Sequence, residues 1–182
     1  RMEDLVEAYS LESYETPTAE TELTKNAAID YCKNRDDKRK WFYICGNPGT
    51  GKTHICIGIC SFLLSKGLTV RYLKWREDIP KLKAVVTKAD QYQELIEPFK
   101  QAGVLYIDDF LKGHVTDADI NIAFEIINHR YTINKRTVIS SERTLGEIAK
   151  YDEALASRIM ERSKEFCVVA PSHNWRAKGR PE

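Results

Sequence analysis

The feature that most constrains this chain is a glycine-rich run placed between an apolar strand and an apolar helix. The run reads Gly46, Asn47, Pro48, Gly49, Thr50, Gly51, Lys52 and Thr53. Its spacing is G-x-x-x-x-G-K-[ST], in which successive backbone N–H groups point at anionic oxygens and the following helix adds the positive end of its dipole. We therefore predict a phosphate-binding loop, with Lys52 on the β- and γ-phosphates of a nucleotide and Thr53 on Mg²⁺.

Short apolar strands alternate with helical segments along most of the chain. Strands are predicted over 41–45, 69–73, 103–107, 136–140 and 166–170, and helices over 21–32, 52–65, 75–101, 117–134, 144–150 and 152–163. The long segment 75–101 is expected to break near Pro80 and Pro98. Strands that are apolar on both faces and joined by helices predict an α/β fold with a five-stranded parallel sheet covered by helices. Residues 1–20 are predicted to be an arm or linker, residues 21–170 the folded domain, and residues 171–182 a polar basic tail.

Composition sets further limits. A length of 182 residues fits one domain, and no apolar run approaches the roughly 20 residues of a membrane span. No signal peptide is visible and no C-x-x-C pair occurs among five cysteines, so we predict reduced thiols, a cytoplasmic protein and no membrane partner. The start at Arg1-Met2 suggests a fragment of a longer protein.

Charge is uneven although the net charge is only +1. Residues 1–30 hold eight acids and two bases, whereas residues 158–180 hold six bases and two acids. Such ends would help subunits stack or attract nucleic acid, and a solvated charged face explains each end equally well.

Two carboxylates end the third predicted strand. Val104, Leu105, Tyr106 and Ile107 lead directly into Asp108 and Asp109. An apolar run that ends in two acids is by itself a weak signal. Its position about 55 residues after a phosphate loop favours a metal-side acid, Asp108, that holds Mg²⁺ through water, and a catalytic acid, Asp109, that orients or deprotonates the attacking water.

Two later positions carry candidate roles at the γ-phosphate. Ser141 or Glu142, after the fourth strand, would lie between the acids and this phosphate, although a capping box from Thr144 to Glu147 would also explain the polar residues there. Arg158, on a late helix, would reach the γ-phosphate of a neighbouring subunit and stabilise transition-state charge, or would be an ordinary surface arginine.

These elements in this order resemble the AAA+ ATPases, and more narrowly the replicative helicase loaders of the DnaC/DnaI type and the related IstB-like transposition ATPases. The resemblance covers roughly residues 22–170 and rests on the loop with its trailing His54, the strand 105–110, the motif 128–131, the segment 138–145 and the motif 157–159. It implies ATP bound by residues 46–54, Mg²⁺ held by Thr53 and Asp108, catalysis by Asp109 with Lys52, and Arg158 as an arginine finger. The family's sensor residue falls at Glu142, where an acid would repel a γ-phosphate unless it is paired.

The resemblance also implies partners. They are a replicative ring helicase, gripped through an N-terminal region outside this chain, single-stranded DNA, and further copies of this chain through Arg158. The DNA contacts would fall on residues 75–100, where Lys81, Lys83 and Lys88 are mixed with five acids. A helical lid is expected to be absent, with Arg176 as a partial replacement for its sensor arginine.

The function predicted from these residues is an Mg²⁺-dependent ATPase domain, slow on its own, that uses ATP and single-stranded DNA to load a ring helicase. An IstB-like transposition ATPase that binds duplex DNA is the alternative from the same resemblance. A small-molecule kinase is disfavoured because the arginines are not clustered as a phosphate-covering lid. A nucleotide-binding switch without catalysis also stays open.

Overall fold

A five-stranded sheet, all of it parallel, forms the centre of the computed structural model, which describes residues 9–175. The strands are β1 Phe42–Cys45, β2 Val70–Lys74, β3 Val104–Phe110, β4 Arg136–Ser141 and β5 Cys167–Val169, in the order β2-β3-β4-β1-β5. The helices are α1 Ala19–Lys33, α2 Lys52–Ser65, α3 Trp75–Ala84, α4 Ala89–Gln101, α5 Asp117–Thr132, α6 Leu145–Ala149 and α7 Glu153–Ser163. The predicted fold class is confirmed, and no helical lid follows β5 within the described range.

Strand alternation divides the core into two layers, one on each face of the sheet. Phe42 and Ile44 of β1 pack with α1 and α2, whereas Tyr43 and Cys45 of the same strand pack with α3 to α7. Successive side chains of a strand point to opposite faces, so a strand that is buried on both faces is apolar throughout. This explains why the central strands lack the apolar–polar pattern of a half-exposed sheet.

The break in the segment 75–101 lies elsewhere than predicted. Pro80 and Pro98 are inside α3 and α4, and the helices are separated at residues 85–88 instead. The β-branched run Val85-Val86-Thr87 loses rotamer freedom in a helix and favours the break. Close to the two prolines, Ile79 and Phe99 are buried in the core, so packing retains the helix where propensity alone would end it.

The described part of the predicted arm is folded onto α2. Leu11 and Tyr14 are buried, and the Lys25 ammonium of α1 donates to the backbone carbonyls of Glu12 and Tyr14. Residues 1–8 and the predicted tail residues 176–182, with Arg176, lie outside the described residues. The predicted domain boundaries stay a prediction. Within residues 9–175, no helix has the length and apolar character needed to cross a membrane.

Replacing Gly58 by alanine is expected to release this arm. A Cβ at Gly58 would lie 2.8 Å from Leu11 Cδ2 and 2.9 Å from the Leu11 backbone nitrogen, and the backbone atom cannot move aside cheaply. A glycine-to-alanine change inside a helix normally stabilises by roughly 0.5–1 kcal/mol. Here we expect a loss of about 1–3 kcal/mol through overpacking, together with chymotrypsin cleavage at Tyr14, which is buried in the natural chain.

The matched control is Gly146→Ala in α6. A Cβ there meets nothing closer than the Thr144 hydroxyl at 4.0 Å, so the variant should be neutral or slightly stabilised and should resist cleavage at Tyr14. Equal melting temperatures for the two variants would contradict a tight contact between the arm and α2.

Candidate nucleotide-binding site

The phosphate loop connects the carboxyl end of β1 to the amino end of α2, as the sequence predicts. Gly49 and Gly51 adopt positive φ angles of 82° and 84°, which a side chain would strain. The Lys52 ammonium folds back over the loop and donates to the carbonyls of Gly46 and Asn47, both at 2.7 Å. These carbonyls hold the ammonium at the loop, and the backbone there presents N–H groups at the amino end of α2.

Lys52 is a nearly buried cation, with only 6% of its surface exposed. Burial lowers its pKa, and the carboxylates of Glu142 and Asp109 oppose this shift. An ammonium in such a place gains from an added anion, because burial weakens its solvation and strengthens its Coulomb interactions.

Thr53 and Asp108, the two residues predicted to share a metal, are in contact. The Thr53 hydroxyl donates to Asp108 Oδ1 over 3.3 Å. A hydroxyl and a carboxylate are the hard oxygen donors that Mg²⁺ takes, so these two residues fit a magnesium ion bound beside the phosphate loop.

Three further hydroxyls hold the Asp108 carboxylate, and none of the three was predicted from the sequence. Tyr106 and Ser140 donate to Oδ1 at 2.7 Å each, and Tyr72 donates to Oδ2 at 2.6 Å. The sequence carries a signal for Tyr106 alone, through strand alternation, whereas Tyr72 and Ser140 depend on how the strands pair. Residues 106 and 108 share one face of β3 by alternation, and the strand register pairs Tyr72 with Tyr106.

Asp109 lies beside its neighbour but faces the cavity. Strand β3 continues to Phe110, three residues beyond the predicted end, and its register shifts between Ile107 and Phe110. Asp109 takes a φ of +55° in this irregularity and lines the cavity next to the phosphate loop. The two carboxylates that are adjacent in sequence therefore have different surroundings, one among hydroxyls and one facing the cavity.

Lys112 pairs with two acids of the cavity wall, Asp109 and Glu142. Its ammonium lies 3.0 Å from Asp109 Oδ2 and 2.8 Å from Glu142 Oε1. Burial lowers the Lys112 pKa, but the two carboxylates outweigh burial and the net pKa is raised. Glu142 is therefore paired with a cation, so its negative charge is offset and repels a γ-phosphate less than an unpaired acid would. Lys112 was not among the site residues predicted from the sequence.

Ser141 is not brought to the cavity, in contrast to its predicted role. It is fully buried, donates to the Phe110 carbonyl at 2.9 Å and accepts the Arg143 N–H at 3.0 Å. Among the described residues it does not line the cavity. Strand alternation is the reason, since Ser140 shares the Asp108 face and Ser141 points to the other. The alternative capping box from Thr144 to Glu147 is present at α6.

Arg158 also lies apart from the cavity of its own chain. Its guanidinium donates to the Ala154 carbonyl at 3.0 Å and lies over the rings of Phe124 and Tyr131, at 4.9 and 5.8 Å. It is not among the described residues that line the cavity. The structure thus leaves Arg158 without a contact to its own nucleotide site.

The cavity in front of the loop has a volume of about 560 Å³, within the range that ligand pockets occupy. Part of the cavity wall comes from the arm and the carboxyl end of the described chain: Tyr9, Ser13, Tyr14, Glu15 and Trp175. The Trp175 backbone N–H donates to the Gly49 carbonyl at 2.9 Å, which fastens that end to the loop.

His54 connects the arm to α2. Its Nε2 lies 2.9 Å from the Ser10 carbonyl oxygen, and the rings of Tyr9 and Tyr14 contact it edge-on. Burial lowers the His54 pKa. His54, which the sequence predicts to bind nucleotide, lines the cavity and also contacts the arm.

Two lysines of the predicted DNA-binding segment are paired within the chain. Lys81 lies 2.7 Å from Asp78, and Lys83 lies 3.2 Å from Asp119 of α5. Neutralised in this way, they offer less charge to a nucleic-acid backbone than the sequence pattern suggests.

Comparison with known proteins gives a family match over nearly the whole chain. Residues 1–179 match the family model of the IstB-like ATP binding protein. The uncharacterised protein YqaM of Bacillus subtilis is 31% identical over 146 residues, which cover 77% of this chain and 46% of YqaM. The replicative helicase loader DnaC of Escherichia coli is 25% identical over 167 residues, 90% of this chain and 67% of DnaC. The chain therefore spans about half the length of YqaM.

Solved structures agree on the fold. A crystal structure of the DnaC helicase loader has a TM-score of 0.78 at 20% identity, covering 92% of this chain and 99% of that one. The replication initiator DnaA bound to AMPPCP and single-stranded DNA has a TM-score of 0.75 at 21% identity, covering 91% and 50%. At these identities the likeness concerns the fold alone.

Proposed function

This chain belongs to the family of IstB-like ATP binding proteins, and on that premise we propose that it is the ATPase domain of a replicative helicase loader. One observation carries the catalytic part of the proposal. Lys52, Thr53 and Asp109 line one cavity, and the Thr53 hydroxyl donates to the Asp108 carboxylate over 3.3 Å. The loader part is supported by the sequence similarity to DnaC over 90% of this chain.

The residues of the site have distinct tasks in ATP hydrolysis. Lys52 exchanges its contacts with the Gly46 and Asn47 carbonyls for the β- and γ-phosphates. Thr53 and Asp108 would hold Mg²⁺, which would supply positive charge to the phosphate oxygens. Asp109, which faces the cavity, accepts a hydrogen bond from the attacking water and orients it towards the γ-phosphorus.

The remaining parts of the proposal concern assembly. We propose that Arg158 acts on the site of a neighbouring copy, because it lies outside the cavity of its own chain while its guanidinium is held on α7. Single-stranded DNA and a ring helicase are the proposed macromolecular partners, with the helicase contact in a region outside this chain.

A test measures ATP turnover with and without single-stranded DNA, for the natural chain and for Arg158→Ala. We expect slow turnover alone, stimulation by DNA, and loss of this stimulation in the variant, because an arginine acting in trans requires assembly on DNA. Arg39→Ala is the control, since Arg39 is exposed and pairs with the nearby Asp37 at the surface.

Two results would count against the loader. Turnover that neither DNA nor Arg158→Ala changes would indicate a nucleotide binder that acts alone. Stimulation by duplex DNA in preference to single strands would favour a transposition accessory ATPase, the alternative that the IstB-like family match supports.

A further inference from the structure

The cavity carries two carboxylates at the end where a γ-phosphate would lie. Asp109 and Glu142 both line it, as Lys52 does, and both carboxylates act on the Lys52 ammonium. Like charges near a phosphate repel it, so a neutral polar side chain would be the simpler choice at position 142. A further cation, besides Lys52 of the phosphate loop, is therefore needed to offset these two negative charges.

Lys112 is that cation. Its ammonium lies 3.0 Å from Asp109 Oδ2 and 2.8 Å from Glu142 Oε1, and its side chain, 26% exposed, lines the same cavity. The ammonium thus joins the loop after β3 to the loop after β4 while it keeps access to the cavity. A cation with three donors can hold one carboxylate and contact a further oxygen.

A constrained backbone turn aims Lys112 back at the site. The Lys112 N–H donates to the Asp109 carbonyl at 3.0 Å, and the fully buried Leu111 between them has a φ of +55°. Arg143, from the loop after β4, donates to the Leu111 carbonyl at 2.9 Å and to the Gly113 carbonyl at 2.8 Å. The backbone on both sides of Lys112 is therefore fastened, and only its side chain needs to move.

We propose that Lys112 is the γ-phosphate-sensing cation of this site. With a nucleoside triphosphate bound, its ammonium contacts the terminal phosphate while Glu142 holds it in place. Asp109 then loses its ion pair and becomes available to the attacking water. With a diphosphate bound, the ammonium stays on Asp109 and keeps this acid inactive. The inference rests on the proposed ATPase function of the same cavity.

The test compares the affinities for fluorescently labelled ATP and ADP, with Mg²⁺, in the natural chain, in Lys112→Met and in Lys112→Met with Glu142→Gln. Lys112→Met should bind ATP about 10- to 100-fold more weakly, because a charge-assisted hydrogen bond is lost. Its ADP affinity should stay within about twofold, since the diphosphate never met the ammonium. The double variant should regain part of the ATP affinity, since the unpaired acid is removed with the lysine.

Lys38→Met is the control, because Lys38 is an exposed lysine in the turn between α1 and β1 and its loss removes the same charge. The proposal would be overturned if Lys112→Met weakened the binding of ATP and ADP equally, or if it left both affinities unchanged. A lysine that only shapes the loop cannot distinguish the two nucleotides. Thermal melting of each variant identifies a loss caused by unfolding.

Turnover in the same samples separates this inference from the proposed function. A natural chain that prefers ATP through Lys112 but does not hydrolyse it would support the inference and refute the ATPase. A chain that hydrolyses ATP while Lys112→Met keeps the full ATP preference would do the reverse.

Discussion

Asp109→Asn is expected to lower ATP turnover by about 10²- to 10⁴-fold, the range that a general base contributes. The substituted side chain retains the shape of the original one, and asparagine tolerates the positive φ of this position. What is lost is the charge that pairs with Lys112 at 3.0 Å and that, in the proposed mechanism, accepts the proton of the attacking water. Single-turnover hydrolysis of labelled ATP measures the effect.

A measurement of ATP affinity shows whether Asp109→Asn has lost only the catalytic base or the whole binding site. ATP affinity should fall little or rise in Asp109→Asn, because one negative charge near the γ-phosphate is removed. The control Asp36→Asn removes an exposed acid from the turn between α1 and β1 and should hydrolyse ATP at the normal rate. Equal turnover in Asp109→Asn and the natural chain would indicate a nucleotide switch without catalysis.

Arg130→Met is expected to destabilise the fold by about 3–5 kcal/mol, because several buried carbonyls lose their donor and each unsatisfied acceptor costs roughly 1–3 kcal/mol. Arg130 of α5 is fully buried. Its guanidinium donates to the carbonyls of Phe99, Lys100 and Ala102, at 3.0, 3.1 and 2.9 Å. Carbonyls at the carboxyl end of a helix such as α4 have no donor within the helix itself, so Arg130 supplies their donor. It also donates to the Thr137 hydroxyl at 3.0 Å and to the Arg136 carbonyl. Methionine fills the space but leaves these buried acceptors without donors.

Urea denaturation measures this loss as a lower midpoint at an unchanged slope. Arg130→Lys should recover little of it, because a compact ammonium cannot reproduce the planar fork that reaches all these acceptors. Arg39→Met, which breaks an exposed pair with Asp37, should cost less than about 1 kcal/mol. A similar midpoint for Arg130→Met and Arg39→Met would mean that Arg130 does not join α4 to β4.

Several features of this protein follow from local sequence. The phosphate loop requires only a fixed spacing of glycines and a lysine between a strand and a helix, so it is readable without tertiary information. The five strands are readable because parallel strands are apolar on both faces. The meeting of Thr53 with Asp108 follows from the same logic, since the ends of parallel strands lie at one edge of the sheet.

Prediction from the sequence fails where an orientation depends on register. Ser140 and Ser141 are adjacent, and strand alternation sends only Ser140 to the Asp108 carboxylate, at 2.7 Å. Ser141, the residue chosen from the sequence, lies on the other face of the sheet and donates to the Phe110 carbonyl. The prolines of α3 and α4 mislead in a similar way, because core packing outweighs a local propensity.

Spacing along the chain is enough to specify the five apolar strands, the phosphate loop and the acid pair, because each of them is a short run of residues that are close in sequence. The folded structure was needed to show that three hydroxyls hold Asp108, that the arm covers α2, and that Lys112 pairs with both Asp109 and Glu142. These contacts join elements that are distant in the chain or depend on a left-handed turn at Leu111. Spacing does not encode such contacts, because they form only once the strands are in register and the loops after β3 and β4 pack together.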